Sequence, residues 1–167
     1  MKELKAQKLT YEAFRKYGQF QNLLDDADLA KNSIRPAGFF PDLIQLNFGT
    51  TTLPSVCVCS VKKQEKNIVG FMEYHAYTCE GLVTLDADVL IYVGIPGRNG
   101  MSIDDCEAFI VPKGYFVKLD PYVIHGSQYP IDTDTAHLIC MLPQRTFNND
   151  MNAHRIEKDE DKGIIVL

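Results

Sequence analysis

Residues 73–81 read EYHAYTCEG, and His75 within them is one of only four histidines in the chain. On a β-strand, Glu73 and His75 project from the same face, because side chains alternate with period two. Glu80 follows just beyond, beside Gly81. A second imidazole, His125, sits in DPYVIHGSQYP after an Asp120-Pro121 turn, where Gly126 and Ser127 give a ligand room to approach the backbone. A barrel that sets the two strands side by side would gather Glu73, His75, Glu80 and His125 into one cluster. Neutral imidazole with carboxylate oxygens suits a divalent metal such as Zn, Mn, Ni or Fe. The same groups without metal suit acid–base chemistry, since packed carboxylates raise one another's pKa values toward the working pH. Spacing alone leaves both open, and it equally fits a strand whose outward face is polar. His137, inside AHLICML, reads as a hydrogen-bonded core or edge residue, and His154 as solvated in a charged tail.

The elements that must position these groups are mostly strands. Thr10 can cap a short helix, with Leu9 and Phe14 as a hydrophobic staple and Gly18 at its end; its expected length is about two turns. Residues 21–41 carry DDAD, Pro36, Gly38 and Pro41 without clear periodicity and read as loop, with DDAD a solvated acidic stretch. From Leu43 the pattern becomes short β-rich runs: LIQLNF, VCVCSV, IVGFMEYHAY, ADVLIYVGI, AFIVP, YFVKL and AHLICML. Turn residues separate them, as in PGRNG and VPKGY. So many short strands predict a sandwich or barrel. Tyr74 and Tyr77 should face away from His75, and Cys79 reads as a buried, inert thiol. The closing GIIVL suits a last strand at a sheet edge or subunit interface.

Composition excludes several classes. The 167 residues fit one domain, residues 1–167, and 46% hydrophobic content argues against general disorder. A formal charge of −5 and a pI near 5.3 give no basic stripe for nucleic acid. Five cysteines without paired metal-finger spacing read as reduced thiols. There is no signal-length apolar run at the start and no stretch of about 20 apolar residues, so a cytoplasmic protein with no membrane or nucleic-acid partner is expected. Phosphate-binding glycine loops and the GxSxG nucleophile elbow are absent.

Three stretches resemble the ureidoglycolate lyase family, which has a cupin-type β-barrel: LTYEAFRKYGQF, FMEYHAYTCEGLVTLDADVLIYVG and CEAFIVPKGYFVKLDPYVIHG. The resemblance covers most of residues 9–145. It implies a mainly β, cupin-like barrel (a double-stranded β-helix) with a short N-terminal helix, pairing as a homodimer. It also implies cleavage of a small ureido or hydroxy-acid substrate to glyoxylate and urea, as in purine degradation. Glu73 or His75 would then be the base, His125 an acid or metal ligand, and Lys62, Lys63 and Tyr122 would bind substrate; Arg98, Lys113 and Lys118 are further cations to weigh. Two departures stand out. Glu80 replaces the family's glutamine, and Ile124-His125-Gly126 replaces its Trp-His-His run in a chain with no tryptophan. Both favour an alternative reading, a metal-dependent cupin isomerase or epimerase acting on a sugar or sugar acid. A noncatalytic small-ligand-binding cupin is the third. The expected cofactor is a divalent metal or none.

Overall fold

Strand β7 (Val89–Gly94) is buried at every position, so the sheet that contains it has no solvent face there. In the computed structural model, which describes residues 1–35 and 38–167, the other strands in chain order are β1 (Lys2–Lys8), β2 (Gly18–Asn22), β3 (Pro54–Lys62), β4 (Asn67–Val69), β5 (Phe71–Tyr74), β6 (Glu80–Thr84), β8 (Cys106–Val111), β9 (Tyr115–Leu119), β10 (Tyr129–Pro130), β11 (Thr135–Pro143), β12 (Asn152–Arg155) and β13 (Gly163–Val166). One sheet has the order β10-β7-β8-β1-β13-β4 and a second the order β2-β9-β6-β11-β3, while β12 and β5 form a separate ribbon. The chain is mainly β, and its sheets form a nearly closed barrel, in agreement with the expected β-barrel.

Alternation along β7 explains its complete burial. Val89, Ile91 and Val93 point into a core shared with Leu82, Val117, Leu138 and Leu142 of the facing sheet. Leu90 and Tyr92 point the other way, into a second core with Met72, Ile124, Ile156 and Ile165. A strand covered on both faces must be apolar throughout, which is the composition of VLIYVG. Burying side chains of this size contributes about 1.5–3 kcal/mol each.

Several local expectations need correction. Helix α1 (Tyr11–Phe14) is a single turn; Thr10 caps it by accepting from the Ala13 N–H, and Leu9 and Phe14 meet in the first core. Gly18 does not end that helix but opens β2, where a Cβ would lie 1.9 Å from the Lys118 carbonyl oxygen. DDAD is not a free loop: Asp25 caps α2 (Asp26–Asn32) by accepting from the N–H groups of Ala27 and Asp28, and Asp28 accepts from the Gln21 side chain. LIQLNF forms no strand, contributing only a bridge between Phe48 and Thr78. Pro36 lies outside the described residues. Five strands were missed: β1, β2, β6, β10 and β12. β1 is hidden by its four charged residues, and β6 by the turn residues that precede it. The closing GIIV is inserted between β1 and β4 rather than added at an edge. Among the described residues no helix is long and apolar enough to cross a membrane.

Candidate functional site

Ribbon strand β5 carries Phe71 and Glu73 on the face opposite Met72, and Met72 is locked into the second core. The Glu73 N–H donates to the His125 carbonyl and the His125 N–H to the Glu73 carbonyl, so these two residues are fixed side by side. Glu80 opens β6 on the same face as Leu82, which belongs to the first core. The structure therefore brings together the four residues expected to do chemistry. His75, Glu80 and His125 are 2%, 6% and 5% exposed, and the two imidazole centroids are 5.1 Å apart.

Each ring nitrogen has an assignable role. His75 Nδ1 lies 2.7 Å from the Asp150 carbonyl and His125 Nδ1 lies 2.8 Å from the Val123 carbonyl. Carbonyl oxygens only accept, so both Nδ1 atoms carry the proton and both Nε2 atoms offer a lone pair when the ring is neutral. Those Nε2 atoms converge on one oxygen, Glu80 Oε2, at 3.2 and 3.0 Å. The Cys140 thiol donates to the other oxygen, Glu80 Oε1, at 3.2 Å.

Three acceptor atoms facing one another need a proton or a cation between them. His125 Nε2 and Glu73 Oε2 are buried without a hydrogen-bond partner among the described residues. Native proteins rarely leave such atoms unpaired unless a ligand or function accounts for them. His75, Glu80 and His125 each offer one donor atom, and these lie within 4.8 Å of one another. Metal–donor lengths of about 2.0–2.2 Å place neighbouring donors roughly 3.0–3.5 Å apart, and the two Nε2–oxygen spacings of 3.2 and 3.0 Å fit. Backbone carbonyls fixing both Nδ1–H groups are the outer support that metal-ligating histidines use. The residues thus fit a divalent metal.

Without a metal, the groups polarise one another. Burial would push the Glu80 carboxyl up, but His125 and His75 outweigh it and hold it well below the usual carboxylate range. Burial would lower His125, yet the Glu80 charge, followed by Glu73 and the Val123 carbonyl, carries it to about 9. Glu73 is raised, chiefly by burial, with His125 opposing. A carboxylate with a raised pKa and a free oxygen is suited to accept a proton.

The site opens into a cavity of about 250 Å³ lined by Cys59, Ser60, Phe71, Gln128 and Phe147, together with Glu73, Glu80 and His125. A separate cavity of about 390 Å³ beside α1 and α2 contains no histidine or cysteine. Gly126 lines this cavity, as expected, and its missing side chain also makes room for Tyr92: a Cβ there would lie 1.8 Å from the Tyr92 hydroxyl, which donates to the Phe71 carbonyl. Gly126→Ala is expected to destabilise the fold by roughly 2–3 kcal/mol, read as a lower urea midpoint.

The expected substrate-binding residues Lys62, Lys63 and Tyr122 lie outside this cavity. Lys62 ends β3 on its outward face, since alternation sends Val61 inward. Tyr122 stacks on Tyr74, rings 5.4 Å apart, on the face of β5 opposite Glu73, as predicted for Tyr74. His137 pairs with Asp86, His154 is exposed, and Cys79 is fully buried away from the cavity. The sequence reading missed Asp150, which is 3% exposed. Its carboxylate accepts from the Ala76 and Tyr77 N–H groups at 2.8 Å while its carbonyl holds His75. Nothing in NNDMN signals this, because the contact spans 75 residues. Asp150→Asn, which sets an amide N–H against those donors, should weaken metal affinity about 10–100-fold in a competitive chelator titration.

No protein-family model and no curated protein matches the chain. Several solved structures resemble it in fold. A dTDP sugar isomerase from Desulfovibrio desulfuricans G20 aligns with a TM-score of 0.47 and 10% identity, over 70% of this chain and 73% of that one. A dTDP-4-dehydrorhamnose 3,5-epimerase from Elizabethkingia anophelis NUHP1 gives 0.37 and 9%, over 66% and 54%. Procruciferin, the 11S globulin of Brassica napus, gives 0.40 and 13%, over 61% and 22%. The likeness is one of fold, and it spans enzymes and a globulin alike. The lyase expectation is corrected: the enzymes among these structures are a sugar isomerase and a sugar epimerase.

Proposed function

We propose that this chain is a metal-dependent cupin isomerase or epimerase that moves a proton on a carbon next to the carbonyl of a sugar-like substrate. One observation carries the reading: two buried imidazoles, each with Nδ1 tied to a backbone carbonyl, aim Nε2 at a single Glu80 oxygen beside the unpaired carboxylate of Glu73. His75, Glu80 and His125 would hold the metal, whose contribution when bound is to polarise a carbonyl or hydroxyl oxygen and acidify the neighbouring C–H. Glu73 takes that proton on Oε2 and delivers it to the adjacent carbon, for isomerisation; for epimerisation the same carbon is reprotonated on its opposite face by a solvent proton, because return from Glu73 would restore the starting configuration. Its burial keeps the carboxylate basic. Phe71 and Phe147 give the cavity apolar wall, and Phe147 meets the His75 ring edge-on at 6.4 Å.

The test is deuterium incorporation from heavy water into a panel of aldoses and ketoses, followed by NMR beside metal analysis. Wild-type protein should hold one transition metal per chain and exchange the C–H next to the carbonyl of its substrate. Glu73→Gln should keep the metal and lose about 10²–10⁴-fold in exchange rate. Protein without stoichiometric metal, or a Glu73→Gln variant that exchanges at the wild-type rate, would remove the reading.

The homodimer belongs to the same proposal. Among the described residues strand β3 pairs only with β11, which leaves the other edge of a nine-residue strand open there, and Val56 and Val58 beside it are 71% and 66% exposed. An open apolar edge pairs readily with a second copy about a two-fold axis. Val56→Lys with Val58→Lys should shift the chain from dimer to monomer in light scattering.

A further inference from the structure

A second cavity, of about 360 Å³, shares two walls with the first: Phe71 and Ser127 line both. Its charge is the reverse. The first cavity carries Glu73 and Glu80, whereas the second is lined by Arg155, Lys162 and Gln64, with Glu157 the one carboxylate among its described lining residues. The fold places these cations close to the site. Arg155 is the register partner of Phe71 across the β12–β5 ribbon, one alternation step from Glu73. Lys162 lays its stem across Gly70, with Cε 3.4 Å from where a Cβ would stand there. The Arg155 guanidinium has no hydrogen bond or ion pair among the described residues. Lys162 is tied only to Asp159, a carboxylate 83% exposed, and such rim pairs yield easily to a better partner.

We infer that the Arg155–Lys162 cavity is an anion subsite for the far end of the substrate, so that the substrate is a phosphorylated hydroxy-carbonyl compound rather than a free sugar. This rests on the reading of the Glu73–Glu80 cavity as the reacting end. A molecule spanning both cavities is oriented by charge: two carboxylates repel a phosphate at one end, and a planar guanidinium with an ammonium receives it at the other. The Gln64 amide and the Ser127 hydroxyl supply neutral donors to the remaining oxygens. Phe71 forms the apolar neck between the two ends.

The probe is inorganic phosphate, titrated calorimetrically into the full chain. Saturable binding in the millimolar range is expected, weakened about tenfold or more in Arg155→Met and in Lys162→Met. Glu73→Gln removes a repelling charge from the neighbouring cavity and should leave phosphate affinity equal or tighter. To separate this subsite from phosphate held by a metal, the titration is repeated after chelator treatment, and binding through Arg155 should persist. Absence of saturable binding, wild-type affinity in Arg155→Met, or loss of binding on chelation would each overturn the subsite. Exchange into an unphosphorylated sugar at full rate would do so while leaving the isomerase reading intact, and loss of exchange in Glu73→Gln tests that reading without reference to phosphate.

Discussion

Glu80→Gln is expected to abolish metal retention and turnover together. Glu80 Oε2 is the single oxygen on which both Nε2 atoms converge, at 3.2 and 3.0 Å. An amide at that position keeps the volume but presents either a neutral oxygen or an N–H₂ donor, and neither balances two buried imidazoles. Breaking a buried charge pair costs about 3–5 kcal/mol, which corresponds to a loss of roughly 10²–10³-fold or more in affinity. Metal per chain after gel filtration should fall from one to background, and the deuterium exchange with it. The fold should persist, since Cys140 can still donate to the oxygen of the introduced amide and Leu82 still anchors β6 in the first core. A variant that keeps stoichiometric metal would show that the ligands lie elsewhere.

Metal affinity and apo stability should both depend on pH, with opposite signs. His125 rises from 6.5 to about 9 in the folded, metal-free chain, because burial is outweighed by the Glu80 and Glu73 charges. A raised imidazole stabilises fully below its unfolded value and loses that contribution as pH climbs through the folded one. The chelator-treated protein should therefore lose on the order of 3 kcal/mol between pH about 6.5 and pH about 9, read as a falling urea midpoint. Glu80 is depressed, so its contribution is present above the ordinary carboxylate range and disappears only in acid. A metal requires the His125 proton to leave, so its apparent affinity should tighten about tenfold per pH unit up to pH about 9. A pH-independent metal affinity over that interval would mean that His125 is not a ligand.

The sequence by itself determined that the chain is mainly β, built as a sandwich or barrel, and located most of its longer strands. Period-two alternation and unbroken apolar runs such as VLIYVG report burial directly, because one or both faces of a strand must be dry. It also determined the pairing of Glu73 with His75 on one face and nominated His125 and Glu80. Patterning could not show β1, whose lysines and glutamate mask a strand held by backbone pairing to β8 and β13. Nor could it show α2, where the Asp25 cap turns an acidic stretch into a helix.

Only the tertiary structure decided how the site works. The carbonyls of Val123 and Asp150 fix the two tautomers, and Asp150 reaches His75 from 75 residues further along the chain. Lys62 and Lys63 were assigned to the substrate by the family resemblance, yet alternation along β3 turns Lys62 outward and both lie outside the cavity. Arg155 went unmarked because it lies in a charged tail, and cross-strand pairing with Phe71 places it beside the cavity. Local periodicity encodes which face of a strand is dry. Which dry faces meet depends on sheet order and register, and these are set by contacts between residues far apart in the chain.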